Sequence, residues 1–236
     1  MVACVVAHVD TDNIITPKLL LSTSSGKNSG VTDPQPYHHV HLRKTLLDAA
    51  VTLIGEVGPR GFTLREVARR ARVSHNAPYR HFAGKDELLV AVAKEGFDRL
   101  TAVMQKTLAR GKSPRERLQL CGCGYVNFAL RWPQHFLVMF DLPPALREHC
   151  KNQRIGDNAF RVLLDCITAA QRSSDLPAGD LLPLAWTAWS LVHGIAKLAI
   201  SGNLPLNARS TIEFTRSASQ AIFGGVAVGQ RSVRTR

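Results

Sequence analysis

The sequence lacks the features that mark membrane proteins, secreted disulfide proteins and several classes of enzyme. No run of about 18 apolar residues occurs, so we expect no membrane-spanning segment and no membrane partner. Its five cysteines are an odd number at irregular spacings. No positively charged amino-terminal segment precedes an apolar signal segment. We therefore expect no disulfide framework and a cytoplasmic location. Glycine-rich phosphate loops, nucleophile elbows and matched carboxylate pairs are also missing, which argues against an enzyme or a bound cofactor.

Acidic residues are scarce relative to basic ones. The chain has 18 Asp and Glu against 30 Lys and Arg, which gives a net charge of +12 and a pI near 10.0. Between Tyr37 and Lys85, nine basic residues accompany three acidic ones, so half of the net charge lies in about a fifth of the chain. A basic cluster suits a phosphate-bearing partner, although an anionic membrane surface would attract it equally.

The ends of the chain have little helical pattern. "STSSGKNSG" followed by "DPQP" has the composition of a linker that is first flexible and then extended. We expect residues 1–36 to form a disordered tail and residues 226–236 a flexible one. The working chain is hypothesised to begin near Val31.

The segment that follows has the pattern of short helices. From His38, apolar residues recur at helical spacing until Gly58 and Pro59, which predicts a first helix. "TLRE" is a capping box, in which the Thr63 hydroxyl accepts from the backbone of Glu66 and the Glu66 carboxylate reaches back, so a second helix is expected there.

Only "RV" separates the second helix from Ser74, a natural N-cap, so a third short helix is predicted over residues 75–82. Two short helices joined by such a turn are typical of a helix-turn-helix. Pro78 would be the fourth residue of the new helix and would stiffen its start. Side chains suited to base edges and phosphates lie in it: His75, Asn76, Tyr79, Arg80 and His81.

The rest of the chain is also predicted to be helical. A long helix begins at Lys85, and later helices are predicted over 113–132, about 145–172, 183–201 and 210–223, where "STIE" repeats the capping box and "GG" closes the last one. No segment alternates as a strand would. The predicted fold is all-α: a three-helix helix-turn-helix domain over residues 37–84 and a larger helical domain over residues 85–225.

Two groups of large side chains in the second domain could enclose a ligand. They are Phe128, Trp132, Phe136 and Met139 in one segment, and Trp186, Trp189 and His193 in a later helix. Stripes of this kind more often form solid core. If the two stripes face one another, they enclose an apolar cavity with one polar group, which predicts a hydrophobic or aromatic small molecule as ligand.

The same late helix carries a second apolar pattern at spacings of 4, 3, 4 and 3, formed by Leu184, Ala188, Leu191, Ile195 and Leu198. Such a heptad-like face could pack with the last helix against a second copy as a four-helix interface. Ordinary packing within one chain explains the pattern as well.

From Tyr37 to Ala93 the sequence resembles the tetracycline-repressor (TetR) family of transcriptional regulators. The resemblance rests on the Gly61–Phe62 pair, "TLREVARRA", "YRHF" and the Gly-Lys start of the long helix. In the second domain, "WSLVHG" resembles the Trp-His-Gly motif of one subgroup, which also has "PYHH" and "SHxAPYRHF". Val40 and His41 depart from the Gly-Asp expected there.

This resemblance implies an all-α homodimer that reads palindromic operator DNA, usually as a repressor, and is released by a small-molecule effector. It implies base or phosphate contacts from the recognition helix, with Asn76 as the candidate base-edge contact and Thr63 and Lys85 near phosphates. Arg65 and Arg69 could bind the phosphates of the DNA backbone or form a solvent-exposed helix face. The residues concerned are Thr63, Arg65, Ser74, His75, Asn76, Tyr79, Arg80, His81 and Lys85.

Two other functions are open on the sequence. His38, His39 and His41 could form a metal cluster in an enzyme, but their spacing is not the i, i+4 spacing of helical zinc sites and no ligand is paired with them. A basic protein that binds DNA by charge alone is the second alternative. It would bind without sequence preference and would dissociate as salt rises.

Overall fold

The computed structural model describes the backbone of residues 35–231 and the side chains of residues 41–224. Every regular secondary-structure element in that range is an α-helix or a 3-10 helix, which confirms the predicted all-α class there. The elements are α1 (Gln35–Val57), α2 (Leu64–Arg70), a 3-10 turn (Pro78–Arg80), α3 (Lys85–Leu108), α4 (Pro114–Arg131), α5 (Pro133–Asp141), α6 (Pro144–Asn152), α7 (Asp157–Arg172), α8 (Leu181–Ile200) and α9 (Ala208–Arg231). Of the predicted tails at residues 1–36 and 226–236, residues 1–34 and 232–236 lie outside the described residues, whereas the backbone of residues 35–36 belongs to α1 and that of residues 226–231 to α9.

The start of α2 follows its sequence signature. The Thr63 side chain accepts a hydrogen bond from the Glu66 N–H at 3.3 Å, and the Glu66 carboxylate accepts from the Thr63 N–H at 2.7 Å. The Thr63 hydroxyl also donates to the Glu66 carboxylate at 2.9 Å, and this bond, followed by the one from the Thr63 N–H, lowers the pKa of Glu66. The predicted capping box is confirmed, and it fixes where the second helix begins.

The turn after α2 is closed by a residue in a left-handed conformation. Arg72 has φ of 56°, the Val73 N–H donates to the Ala68 carbonyl at 3.0 Å, and the Arg72 N–H donates to the Arg69 carbonyl at 3.2 Å. This pair of bonds is a Schellman motif, which usually has glycine at the left-handed position. Because this position is arginine and not glycine, the sequence does not signal the left-handed conformation.

The predicted third helix over residues 75–82 is wrong. A turn at residues 75–77 leads into a 3-10 helix of Pro78–Arg80, and no side chain caps it. Pro78 has no N–H with which to bond the Ser74 carbonyl, which accepts from Ala77 at 2.9 Å instead. Pro78 therefore starts the 3-10 turn and does not lie within an α-helix.

Later helix boundaries also differ from the prediction. The helix expected over 145–172 is broken into α6 and α7 at Gly156, whose φ of 102° is unfavourable for other residues. The last helix starts earlier than expected, because the Asn207 side chain accepts from the Ser210 N–H at 2.9 Å. The "STIE" capping box is therefore wrong, and α9 continues through the "GG" pair to Arg231.

The core runs without interruption from α1 to α9, and α3 contributes to both of its ends. We call residues 41–84 the head and residues 85–224 the body. Along α3, Gly96 lies so close to α5 that a Cβ there would stand 2.5 Å from the Met139 sulfur. Within the body, α3 is thereby packed tightly against α5. No helix in the described part of the chain is long and apolar enough to cross a membrane.

Candidate functional site

An exposed polar surface covers the outer side of the recognition segment, which we define as residues 74–82. Seven of the residues predicted to contact DNA are exposed: Thr63, Arg65, Ser74, His75, Asn76, Tyr79 and Arg80. The Tyr79 ring is 52% exposed although it is aromatic. A ring packed beneath α1 would be buried, so this exposure disfavours a packing role for Tyr79. His81 and Lys85 are partly buried.

Two buried residues hold the recognition segment against the head. Phe82 is 1% exposed and Pro78 is buried, and the Phe82 N–H donates to the Pro78 carbonyl at 2.9 Å. The Arg43 guanidinium of α1 lies 5.1 Å from the centre of the Phe82 ring. With these residues anchored inward, the polar side chains between and before them are left facing outward.

Lys85 lies beside the segment but is engaged within the head. Its ammonium group donates to the carbonyl oxygens of Arg60 at 2.9 Å and Phe62 at 2.7 Å, and it stands 4.5 Å from the centre of the Phe62 ring. Burial lowers its pKa. Lys85 thus clasps the loop before α2, a role that no sequence pattern signals.

The arginines of α2 differ in whether they are paired. Arg70 donates two hydrogen bonds to the Glu56 carboxylate at 2.7 and 2.5 Å, which ties α2 to the end of α1. None of the ion pairs in the described part of the chain includes Arg65 or Arg69, and both side chains are exposed. Their charges are therefore presented to solvent on the face next to the recognition segment.

A cavity of about 50 Å³ lies in the body and is lined by residues of α3, α4, α5, α7, α8 and α9. Its wall is almost entirely apolar. The lining residues are Phe97, Leu100, Met104, Leu118, Cys121, Gly122, Tyr125, Phe140, Gly156, Ala159, Phe160, Leu163, Ala188, Trp189, Val192, Ser219 and Phe223.

Of the residues predicted to line a ligand pocket, only Trp189 lies on this wall. Phe128, Phe136 and Met139 are buried in solid core. Trp132 packs on Phe128, with the Arg99 and Arg131 guanidinium groups 5.7 and 4.8 Å from its ring centre. Trp186 is 39% exposed. The two stripes do face one another, since His193 of α8 stacks on Phe136 of α5, but they meet as packed core. Much of the cavity wall is supplied instead by α3 and α7, which the prediction did not include.

Behind the wall, His193 belongs to a small hydrogen-bonded group. Its Nδ1 lies 2.9 Å from the Tyr125 hydroxyl, which accepts from the Trp189 indole N–H at 3.2 Å. His193 also stacks on the Phe136 ring, 5.3 Å between centres. Burial lowers the pKa of His193 and raises that of Tyr125 far above its usual range, so both are neutral near pH 7.

The junction between head and body contains a cluster of charged and titratable side chains. Glu95 on α3 pairs with Arg99, and its carboxylate lies 3.9 Å from Lys44 of α1 and 3.6 Å from the buried His135 of α5. The His135 imidazole, followed by Arg99, holds the pKa of Glu95 down to about 2 against the opposing effect of burial. Side chains from α1 in the head and from α3 and α5 in the body thus meet at the Glu95 carboxylate.

No group of three or more potential ligands that could hold a metal ion is found among the described residues. The side chains of His38 and His39 lie outside the described range. Cys121, Cys123, Cys150 and Cys166 are buried, and none of these four described cysteines forms a disulfide.

Both parts of the chain match known regulators. Residues 46–92 match the profile of the bacterial regulatory proteins of the tetR family, and residues 118–221 match that of the tetracyclin repressor-like C-terminal domain. The first match covers α2, the recognition segment and the start of α3. The second covers α4 to α9, which contain most of the cavity wall.

Individual relatives agree with these profiles. The regulator BetI of Brucella anthropi is 33% identical over 32% of this chain and 39% of its own length, and the repressor KstR of Mycolicibacterium smegmatis is 33% identical over 38% of this chain and 43% of its own. The match therefore spans about two fifths of these relatives. A solved structure of a protein of unknown function from Rhodococcus sp. RHA1 is 32% identical, covers 82% of this chain and 99% of that one, and has a TM-score of 0.68. With both domains matched in order along one chain, the protein belongs to the TetR family of bacterial transcriptional regulators.

Proposed function

We propose that this chain is a repressor that binds palindromic operator DNA as a homodimer and is released by a small hydrophobic effector. The observation that carries the proposal is the recognition segment, which is fixed by buried Pro78 and Phe82 while its polar side chains face outward. The basic composition of the head supplies attraction to phosphate, and KstR, a relative, is named a repressor.

The outward side chains divide by chemistry. Asn76 can donate and accept at once, as a bidentate contact to adenine requires, and His75 beside it can do so across its two ring nitrogens. Tyr79, Arg80 and the unpaired Arg65 suit phosphate oxygens. Thr63 and Ser74 offer hydroxyl groups at the edges of the surface, and partly buried His81 lies at its inner margin.

A homodimer would supply the second reading head. The apolar pattern from Leu184 to Leu198 is not one free face, because Ala188 and Ile195 are buried within the chain. Leu198 on α8 and Phe214 on α9 are 47% and 44% exposed, and space is open where a Cβ of Gly194 would stand. We place the interface on this part of α8 and α9. Two-fold symmetry then calls for half-sites roughly 34–36 Å apart.

The DNA test is a titration at physiological salt of the duplex upstream of the protein's own coding region, with unrelated duplex as competitor. A specific repressor keeps a tight complex, whereas a protein that binds by charge alone loses both duplexes equally as salt rises. Asn76→Ala should weaken the specific complex by about 10- to 100-fold and leave unrelated duplex unchanged. The matched variant Arg65→Ala should weaken both duplexes alike. If Asn76→Ala weakens binding to the specific and the unrelated duplex equally, the proposed contact of Asn76 with a base is contradicted.

The dimer test is the mass in solution by light scattering. Leu198→Glu and Phe214→Glu should shift the protein toward the monomer, because each buries a charge in the proposed interface. Trp186→Glu is the control, since this exposed side chain lies roughly 120° around α8 from Leu198. A dimer unaffected by the first two variants places the interface elsewhere.

A further inference from the structure

The hydrogen-bonding groups of the cavity wall already have partners within the protein. The Trp189 indole N–H donates to the Tyr125 oxygen. We assign the Tyr125 hydroxyl proton to His193 Nδ1, because with a protonated Nδ1 this buried hydroxyl would have two donors and no acceptor for its own proton. The Ser219 hydroxyl donates to the Thr215 carbonyl at 2.8 Å. The buried Cys121 thiol is only a weak donor, and the neighbouring Cys166 together with burial raises the pKa of Cys121. What the wall has left are oxygen lone pairs, not strong donors.

The wall also has no charge to offer. None of the described residues that line it is acidic or basic, and the histidine behind it is neutral near pH 7. A carboxylate or phosphate would have to leave water without gaining a donor or a counter-charge, which is strongly unfavourable. The cavity's aromatic faces could attract an ammonium group, but no carboxylate lies on the wall to balance its charge.

The size of the cavity limits the ligand further. A cavity of about 150 Å³ lined by aliphatic and aromatic groups holds one benzene ring. The cavity of about 50 Å³ is smaller, so even a single ring must displace part of the wall. Phe97, Leu100 and Met104 form the side of the wall that α3 contributes, and α3 also leads into the head.

We propose that the cavity takes an uncharged, mainly hydrocarbon molecule of about one ring or an equivalent short chain, with at most one hydrogen-bond donor to reach the free lone pairs of Tyr125 or Ser219. Carboxylates, phosphates and ammonium compounds are excluded from it. That this molecule acts as the effector rests on the proposed function above, whereas its binding does not.

The selectivity is tested on the full-length protein without DNA, with four single-ring probes of similar size: toluene, benzyl alcohol, benzoate and benzylammonium. Calorimetry and tryptophan fluorescence at neutral pH measure their affinities. Toluene and benzyl alcohol should bind, and the two ions should bind at least about 100-fold more weakly. Benzoate or the ammonium probe binding as well as toluene overturns the proposal.

The location is tested with two neighbouring leucines of α7. Leu163 and Leu164 are both buried, at 9% and 8% exposure, but only Leu163 lines the cavity. Leu163→Ala enlarges it and should raise the affinity for naphthalene by about tenfold, while Leu164→Ala should leave that affinity unchanged. Circular dichroism confirms that both variants are folded. The same response from both, or from neither, overturns the cavity as the binding site.

Release from DNA is then measured separately with the same probes. Toluene that binds the free protein but leaves its DNA complex intact contradicts the repressor mechanism and leaves the ligand class standing. Benzoate that releases the DNA without toluene doing so contradicts the ligand class and leaves effector-controlled repression standing.

Discussion

The head and the body use their polar groups in opposite ways. In the head, Asn76, Arg65 and Tyr79 face solvent, and the fixed part is a small apolar base around Phe82. In the body, the hydroxyls of Tyr125 and Ser219 are turned inward and satisfied. A surface that keeps its donors available is suited to a charged, hydrogen-bonding partner such as DNA. A cavity whose donors are taken is suited to a partner that needs none.

The largest expected effect comes from deleting one buried ring in each region. Phe82→Ala and Phe128→Ala, at 1% and 0% exposure, should each lower the free energy of unfolding by about 3–5 kcal/mol, measured by chemical denaturation. Only Phe82→Ala should also weaken DNA binding by the protein that remains folded, because Phe82 anchors the recognition segment. If Phe128→Ala weakens DNA binding as much, the head does not depend on its own anchor.

A smaller effect is expected from the clasp at Lys85. Lys85→Met keeps the side-chain stem and removes the donors to two carbonyl groups, so the free energy of unfolding should fall by about 1–3 kcal/mol. Lys94→Met removes the same charge from the same helix, where Lys94 pairs only with exposed Asp98, and serves as the control.

The salt dependence of DNA binding then assigns the role of Lys85. We expect the slope of log affinity against log salt to be the same for Lys85→Met and Lys94→Met, because the Lys85 ammonium faces the loop carbonyls. A slope that shrinks by about one unit for Lys85→Met alone would restore the direct phosphate contact inferred from the sequence.

The smallest effect concerns the junction of the two regions. The pKa of Glu95 is about 2 in the folded protein against 4.5 as its usual value, so its contribution to stability is complete above pH 4.5 and is lost as the pH falls toward 2. Denaturation between pH 6 and pH 3 should therefore show a weaker acid destabilisation for Glu95→Gln than for the wild type. Glu148→Gln, an exposed residue of α6, should follow the wild type. Identical curves for all three proteins would remove Glu95 from the acid response.

The sequence predicted the elements that depend on local patterns. The capping box at Thr63 and Glu66 involves residues three apart, so its chemistry can be read from four letters, and the structure forms it. The recognition segment was located correctly but given the wrong conformation. Pro78 has no N–H to donate to the Ser74 carbonyl, so the segment forms a 3-10 turn there and not an α-helix. The left-handed conformation at Arg72 had no sequence signal, because the residue is not glycine.

The cavity could be predicted only in part. Helical spacing identified Phe136, Met139 and Trp189 as inward-facing, and all three are at least partly buried. Whether an inward side chain meets another side chain or a space depends on how helices distant in sequence cross. For that reason Phe136 and Met139 lie in solid core while Phe97 of α3 and Leu163 of α7 line the cavity.

By itself the sequence determined the helical class, the basic head with its outward Asn76 and the family to which the chain belongs, because these depend on composition, spacing and short motifs. Tertiary structure alone decided that Lys85 clasps the loop at residues 60–62, that Ala188 is buried within the chain and that Tyr125, Trp189 and His193 satisfy one another. Each of these contacts joins residues from different elements, and only the packed chain fixes the distance between them.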